Sequence, residues 1–359
     1  MPTEPSTTPR GRLVSFLLSA RDRVDCGHLL RHGYQVFPCL SSDEADDICA
    51  ALDAEVALSG ERFPPDRVGR HGSGHWQSVW RAREAGDPLF RSLFGEEALH
   101  AFDAFVHTVE SKQRKLWMHI DQPASNANAF DSLQGLLALR DVPADGYATA
   151  VCHCDDLQAL LNDFQHAFVQ PPDERQAHTH PSRTDARVHF FSEREVAWLV
   201  ERTQIVRPPL KRGELLVWCA GVPHCAYGGA WQRRGVFLSA LPRSLCSEDE
   251  LEMRRDAARR GLTSNHDVVC RAANGGVRLS LRGGVQTWPR RLPPMASYDS
   301  PTNPTQRRRA CMLGFDVHAS DAMTEELAAT PPAAESGRAG GRALVLLDAL
   351  IADVSHARS

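Results

Sequence analysis

The sequence predicts a mainly β protein with flanking helices, whose short strands form a jelly-roll-like double sheet. Two observations support this prediction. The middle of the chain holds several short apolar runs bounded by turn residues, whereas helical patterns lie mostly outside them. In addition, a His-x-Asp pair in one predicted strand is matched by a lone histidine after another, roughly a hundred residues later. Both observations favour two sheets that enclose a site.

The strands are predicted from short apolar runs, and the helices from apolar residues at helical spacing. The predicted strands are 34–40, 116–122, 134–142, 147–152, 214–219 and 234–241. The predicted helices are 42–58, 95–113, 155–168, 193–201 and 247–260. Ser41 with Glu44 forms a capping-box pattern, and Ser247 is a suitable N-cap. Residues 60–80 are dense in Gly, Pro and Arg and predict a loop, as do residues 273–310.

Charge and hydropathy limit the classes of partner. The formal net charge is −4, which gives no strong field for nucleic acid or anionic lipid. No apolar run is long enough to cross a bilayer. The N-terminal apolar stretch, Leu13–Leu18, is too short for a secretory core. We therefore expect a small-molecule partner, no nucleic acid, no membrane and a cytoplasmic location, with organelle targeting left open and the oligomeric state unpredicted.

The ten cysteines are scattered and include no CxxC pair, so buried free thiols are expected rather than disulfides. The run Cys152-His153-Cys154-Asp155 could bind zinc, but adjacent residues of a strand face opposite ways. A buried turn is therefore the favoured interpretation. His178 and His180 lie in a polar loop and are expected to be solvated.

Three residues carry the chemistry that we predict. His119 and Asp121 stand two apart on one strand and so project from the same face. His224 follows a second strand and a turn. Two imidazoles and one carboxylate, with open coordination positions, are the ligand set of non-haem Fe(II) oxygenases. The His-x-Asp pattern is weak evidence by itself, and the distal histidine followed by an arginine strengthens it.

Four segments, in this order, resemble the phytanoyl-CoA dioxygenase family of Fe(II)/2-oxoglutarate oxygenases. They are HGYQVF at 32–37, LWMHIDQ at 116–122, LLALRDVPADGYATAV at 136–151, and LKRGELLVWCAGVPHCAYGG with QRRGVFLSALPRS within 210–244. The likeness covers about residues 27–245. It departs from the family where Cys152-His153-Cys154-Asp155 replaces the usual Pro-Gly-Ser-His.

The resemblance implies a double-stranded β-helix, or cupin-like, core that holds iron on His119, Asp121 and His224. It implies Arg233, with Arg234 as the alternative, as the partner of the 2-oxoglutarate C5 carboxylate. Fe(II), the cosubstrate 2-oxoglutarate and O2 would then serve a dioxygenase. That enzyme would hydroxylate a small organic or acyl substrate and convert 2-oxoglutarate to succinate and CO2.

The domain organisation follows from the same resemblance. We expect a disordered tail at 1–20, one jelly-roll catalytic domain at 21–325, and a linker with a short amphipathic helix at 326–359. Within the domain, 155–207 is expected to be an insertion and 246–325 a C-terminal extension.

The loop at 69–83 lies where the family often covers its substrate. Trp76, Trp80 and Arg81 within it suit an anionic or planar ligand, although tryptophans that pin a loop to the core are an equal alternative. Two other functions stay open. The chain could be a cupin-like isomerase or hydrolase that does not use 2-oxoglutarate, or a catalytically silent binding module.

Overall fold

The computed structural model describes residues 11–59, 73–101, 106–107, 116–124, 132–169, 188–228, 233–260, 266, 268–269, 298, 301 and 303–316. The helices are α1 (Gly11–Ser19), α2 (Gly27–His32), α3 (Ser42–Ser59), α4 (Gln77–Phe94), α5 (Leu157–Phe164), α6 (Glu193–Arg202), α7 (Glu248–Arg259) and α8 (Pro304–Leu313). The strands are β1 (Tyr34–Pro38), β2 (Ala98–His100), β3 (Val106–His107), β4 (His119–Ile120), β5 (Leu133–Ala138), β6 (Ala148–His153), β7 (His189–Phe190), β8 (Gln204–Val206), β9 (Glu214–Cys219), β10 (His224–Tyr227) and β11 (Gly235–Pro242).

The strands form two antiparallel sheets. The first has the order β1-β9-β5-β11-β2, with β3 also paired to β11, and the second has the order β7-β4-β10-β6-β8. The sheets face each other, because the ring of Trp218 in the first lies 5.3 Å from the ring of His224 in the second. Neighbours along each sheet are distant in sequence, as in a double-stranded β-helix. The predicted fold class is therefore confirmed.

Helices α3 and α4 cover the first sheet from outside, and α4 contacts β11. Gly86 permits this approach, since a Cβ at that position would lie 2.6 Å from Cδ1 of Leu238. The predicted capping box begins α3, where the backbone N–H of Ser41 donates to Glu44 at 2.9 Å. A second capping box, at Ser247, begins α7. These caps satisfy backbone donors that a helix start would otherwise leave unpaired.

The predicted helix at 95–113 is wrong in the part that the structure describes, and the predicted loop at 60–80, of which 60–72 lie outside the described residues, ends before Gln77. Helix α4 runs instead over Gln77–Phe94, and Ala98–His100 is a strand. Gly86 and Pro88 lie inside α4, and because both residues are poor helix formers they make the helical pattern hard to recognise in the sequence. Its buried face nevertheless repeats at helical spacing, and buried apolar area is what stabilises such a helix against its neighbours.

The expectation of disorder over residues 1–20 is wrong for the part that the structure describes. Helix α1 buries Leu13 and Leu17 completely and leaves Leu18 half-exposed. Leucines four residues apart share one helix face, and that face contacts α4. Each buried leucine contributes about 2 kcal/mol of transfer free energy, which is enough to hold a short helix in place.

The segment 155–207 is more than an insertion, because it supplies both edges of the second sheet. Strand β7 pairs with β4, and β8 pairs with β6.

The C-terminal extension contains a helix that the sequence did not predict. Helix α8 overlaps the end of the region 273–310, which was expected to be a loop. Asn303 caps it and Pro304 occupies its first turn. His178, His180 and the expected linker and helix at 326–359 lie outside the described residues.

The nine cysteines within the described residues are free thiols, as predicted. None of the helices in the described ranges is long and apolar enough to cross a membrane.

Candidate metal centre

The strand register brings the three predicted ligands together. His119 in β4 stands directly opposite His224 in β10, so their side chains project from the same face. Their rings lie 4.3 Å apart between centroids. Asp121 follows β4 at once, and its backbone N–H donates to the carbonyl of Ala220 at 3.1 Å. This bond holds the carboxylate beside the two imidazoles.

The spacing of the ligand atoms suits one ion. Nε2 of His224 lies 3.3 Å from Oδ2 of Asp121, and Nε2 of His119 lies 3.8 Å from Oδ1. The chosen ligand atoms of all three residues fall within 4.8 Å of one another. Neighbouring ligands of an octahedral ion with bonds of about 2.1 Å are about 3 Å apart. The three side chains, each less than a tenth exposed, can therefore occupy one face of such an ion.

Backbone carbonyls set the tautomer of both histidines. Nδ1 of His224 donates to the carbonyl of Val222 at 2.9 Å, and Nδ1 of His119 makes a longer contact of 3.4 Å with that of Trp117. A carbonyl oxygen can only accept, so each Nδ1 carries the proton. The lone pair is then on Nε2, the atom directed at Asp121. This is the outer-shell arrangement that orients imidazole ligands of metals.

The charge states also suit a divalent cation. Burial, reinforced by the neighbouring His224, lowers the pKa of His119 to about 3, so this imidazole is neutral near pH 7. Burial by itself raises the pKa of Asp121. Contact with the His224 ring and the charges of the nearby histidines outweigh it, and the pKa falls below its ordinary value. A neutral imidazole and a carboxylate are the forms that bind a metal.

A buried arginine lies along the same inner face. Arg233 is 1% exposed, and its Nη1 donates to Oγ1 of Thr149 at 3.1 Å. Thr149 and Val151 share one face of β6, which Tyr147 precedes by one residue, and Val151 is opposite His224. Thr149, and the guanidinium bound to it, is therefore about 7 Å along the strand from the metal centre.

The guanidinium of Arg233 is incompletely paired. Its Nε and Nη2 have no hydrogen-bond partner among the described residues. Its guanidinium carbon lies 4.4 Å from the centre of the Tyr147 ring. Burial lowers the pKa of Arg233 to about 10, which still leaves it charged near pH 7. An unpaired buried cation is costly, and a planar bidentate anion would satisfy both free nitrogens.

The alternative residue, Arg234, faces the other way. Its Nε lies 3.1 Å from Oδ1 of Asp53 in α3, on the outer side of the first sheet. Successive residues diverge to opposite faces at the start of a strand, so only Arg233 is directed inward.

Aromatic residues that the sequence analysis did not single out surround His119. The Trp117 ring stacks on it at 4.7 Å with an interplanar angle of 12°. Trp117 Nε1 donates to the carbonyl of Ala226 at 2.9 Å, which fixes the ring. Phe190, opposite His119 in β7, lies 5.5 Å away and is 54% exposed. The exposed ring therefore offers an apolar surface beside the three candidate ligands.

A polar row crosses the inner face of the first sheet. Gln134 in β5 is paired in register with Trp218 in β9 and with Ser239 in β11, so the three side chains share a face. Each is at most 2% exposed. Gln134 Oε1, Trp218 Nε1 and Ser239 Oγ have no hydrogen-bond partner within the described part of the chain. Because Trp218 also contacts His224, this row faces the centre.

Trp76 and Trp80 are buried rather than available to a ligand. Trp76 is 0% exposed and lies in the main core. Trp80 is 2% exposed and packs with α7 and α8 in a second apolar cluster that contains Tyr298 and Phe315. The expectation that these two rings cover a substrate is therefore corrected, and the alternative of pinning to the core accounts for them. Arg81 is half-buried, and its role stays a prediction.

The chain matches no protein-family model, and it has no match among curated proteins. It is similar to several solved structures. One is EctD from S. alaskensis with 2-oxoglutarate and 5-hydroxyectoine, at 18% identity and TM-score 0.41, covering 68% of this chain and 80% of that one. Another is the non-heme alpha ketoglutarate dependent carbocyclase SnoK from nogalamycin biosynthesis, at 14% identity and TM-score 0.41, covering 62% and 86%.

A third is GIG2 from Candida albicans, at 12% identity and TM-score 0.45, covering 72% of this chain and 78% of that one. These similarities are low in both sequence and structure, so they assign no reaction to this chain.

Proposed function

We propose that this protein is an Fe(II)/2-oxoglutarate-dependent dioxygenase of the phytanoyl-CoA dioxygenase kind, which hydroxylates a small organic or acyl substrate. The observation that carries the proposal is the pairing of two features on one inner face. His119, Asp121 and His224 converge with the atoms and charge states that a divalent cation needs. The buried Arg233 beside them has two nitrogens with no partner in the described part of the chain, and these suit a carboxylate.

The residues have separate tasks. His119, Asp121 and His224 would hold Fe(II) on one face and leave the other face to the cosubstrate and O2. Arg233 would orient 2-oxoglutarate through its C5 carboxylate, with Thr149 holding the guanidinium. Bound iron would supply the oxidising chemistry that couples decarboxylation of 2-oxoglutarate to hydroxylation of a C–H bond. The two sheets exclude bulk water from that reaction.

Two groups favour a substrate with an apolar part and a polar part. The exposed ring of Phe190 beside His119 offers apolar contact to a substrate. The polar row of Gln134, Trp218 and Ser239 offers both donors and acceptors on the opposite sheet. We propose that the polar part of a bound ligand forms hydrogen bonds with this row. Such bonds would satisfy buried polar atoms that have no partner among the described residues.

Succinate release from 2-oxoglutarate in the presence of Fe(II) and O2 tests the proposal. We expect His119→Ala, Asp121→Ala and His224→Ala each to abolish it, because a facial site that loses one ligand loses the metal. His166→Ala is the matched control, since this histidine is exposed and outside the site. Normal succinate release by all three variants would refute the assignment of the ligands.

The same assay, together with metal analysis of the purified protein, separates the rival functions. A protein that binds metal at the triad but never consumes 2-oxoglutarate would be a cupin-like isomerase or hydrolase. One that binds no metal there would be a binding module. The two nitrogens of Arg233 that have no partner among the described residues suit a carboxylate in any of these proteins, so consumption of 2-oxoglutarate is the deciding result.

A further inference from the structure

A second group of histidines lies at the rim of the double sheet. His153 ends β6, two residues beyond Val151, and so faces the same way as the ligand-bearing row. His28 and His32 come from α2, and Asp155 follows His153 after one residue. The centroids of the His28 and His32 rings are 4.3 Å apart, as are those of His32 and His153. We call these four residues the rim cluster.

Local backbone geometry brings the two elements together. Gly33 ends α2 with φ +78° and turns the chain directly into β1, a conformation that glycine adopts without strain. His28 and His32 are four residues apart and therefore share one face of α2. That spacing is the one by which helices present two imidazoles to zinc. Tyr34, the first residue of β1, contacts His153 from the next element.

The ligand atoms of the rim cluster are close enough for one ion. His32, His153 and Asp155 each offer one ligand atom, and these atoms lie within 4.8 Å of one another. The ligand atoms of His119, Asp121 and His224 lie within the same distance of one another. His32 is 8% exposed, His153 is half-buried and Asp155 is exposed, so an ion could reach the cluster from solvent.

Hydrogen bonds direct the ring nitrogens as a metal site requires. Nδ1 of His32 donates to the carbonyl of Cys154 at 2.7 Å, which leaves the lone pair on Nε2. Nδ1 of His153 lies 2.9 Å from the hydroxyl of Tyr34, which can accept its proton and free Nε2 in the same way. A ligating histidine typically makes such a bond with its other nitrogen.

Two rings of the cluster favour the neutral form. Burial, with the neighbouring His32 next in importance, lowers the pKa of both His28 and His153. A neutral imidazole keeps the lone pair that a metal ion binds.

We propose that the rim cluster is a second metal site, which binds zinc or another late first-row divalent cation through His32, His153 and Asp155, with the His28 ring beside them. Nitrogen and carboxylate donors suit such ions. The site shares no ligand with the triad. It would clamp α2, near the start of the described chain, to the end of β6, and so stabilise the rim of the fold when occupied.

Zinc titration of a chain with the triad disabled tests this site. We expect full-length His119→Ala/His224→Ala protein, stripped of metal by a chelator, to bind one equivalent of Zn(II) and to melt at a higher temperature when loaded. Calorimetry gives the stoichiometry and affinity. Co(II) in place of zinc should give the visible absorption of a nitrogen- and oxygen-ligated ion.

Removal of one rim ligand should then weaken zinc binding at least tenfold. Asp155→Asn is the first variant, because this exposed residue can change without unfolding the chain, and its metal-free melting temperature should match that of the parent. His153→Ala is the second. His166→Ala, also an exposed site, should bind zinc as the parent does. The proposal is overturned if the triad-disabled chain binds no stoichiometric zinc, or if Asp155→Asn and His153→Ala bind it as tightly as His166→Ala. Neither result bears on succinate release.

Discussion

Arg233 and Arg234 show how one step along a backbone separates two roles. Arg234 pairs with Asp53 outside the sheet, whereas Arg233 is buried inside, and two of its nitrogens have no hydrogen-bond partner among the described residues. The resemblance to a family pattern favours Arg233 over Arg234, and its role toward the cosubstrate stays a proposal. In the sequence, the run Cys152-His153-Cys154-Asp155 allows zinc but favours a buried turn. No motif in the sequence links His32 to His153, and only the fold brings these two rings together.

Substitution of Arg233 tests whether its guanidinium binds the carboxylate of 2-oxoglutarate. We expect Arg233→Met, without ligands, to melt at or above the temperature of the parent, because removal of an unpaired buried charge is neutral or stabilising. With iron bound, 2-oxoglutarate at about 100 times its Kd should stabilise the parent by about 2.7 kcal/mol. It should not stabilise Arg233→Met. The measurement is thermal unfolding with and without 2-oxoglutarate. Arg234→Met is the control and should respond as the parent does; an equal response from Arg233→Met would count against the assignment.

His100 predicts a pH dependence of stability. It is 1% exposed, and burial lowers its pKa below the ordinary 6.5, although Asp87, whose Oδ1 lies 3.0 Å from Nε2, opposes the shift. Below pH 6.5 the unfolded chain therefore binds a proton that the folded chain does not bind. The contribution of His100 to the free energy of unfolding must therefore fall as the pH drops below 6.5.

Urea unfolding at about pH 7.5 and about pH 5.5 measures this dependence. We expect His100→Gln to lose less stability than the parent between the two values. His166→Gln, changed at an exposed position, should lose as much as the parent. A parent that becomes more stable on acidification in this range would show that the sign is wrong.

Helices and strands differ in how well the sequence predicted them. Strand β9 was predicted with its observed bounds, since a run of five apolar residues after Glu214, bounded by turns, has few alternatives. Capping residues placed α3 and α7. Strands β7 and β8 are two and three residues long and carry no periodicity, so only pairing in the sheet defines them. Helix α4 was missed because Gly86 and Pro88 normally interrupt helices, and here tertiary packing overrides that preference.

The C-terminal helices depend on one buried arginine. Arg254 in α7 is 0% exposed and donates to the carbonyls of His100 at 2.6 Å and of Met312 at 3.1 Å. These bonds join α7 to β2 and α8. We expect Arg254→Leu to reduce the free energy of unfolding by about 2–4 kcal/mol, because buried carbonyls lose their donors.

Chemical denaturation measures this loss. Arg260→Leu is the matched control, because the exposed ion pair of Arg260 with Asp256 is worth at most about 1 kcal/mol. Equal stability of the two variants would mean that Arg254 does not join these elements.

At the scale of the whole molecule, the two facing sheets carry polar groups at successive positions along their inner surfaces. Along β6 and its neighbours lie the Arg233 guanidinium, then the triad, then the rim cluster, while the polar row of Gln134, Trp218 and Ser239 faces them from the other sheet. The segment 155–207 forms both edges of the ligand-bearing sheet and places Phe190 opposite His119. The proposed oxygenase function depends on this common interior, because no single strand contains the complete site.

Anaerobic titration of the purified chain with Fe(II) and then 2-oxoglutarate tests the central claim most directly. The account predicts one iron per triad and, on addition of 2-oxoglutarate, the visible charge-transfer band of its iron chelate. Asp121→Asn should lose the band through loss of iron, and Arg233→Met should need far more 2-oxoglutarate to develop it. A parent chain that binds iron at the triad but gives no band at saturating 2-oxoglutarate would contradict the account.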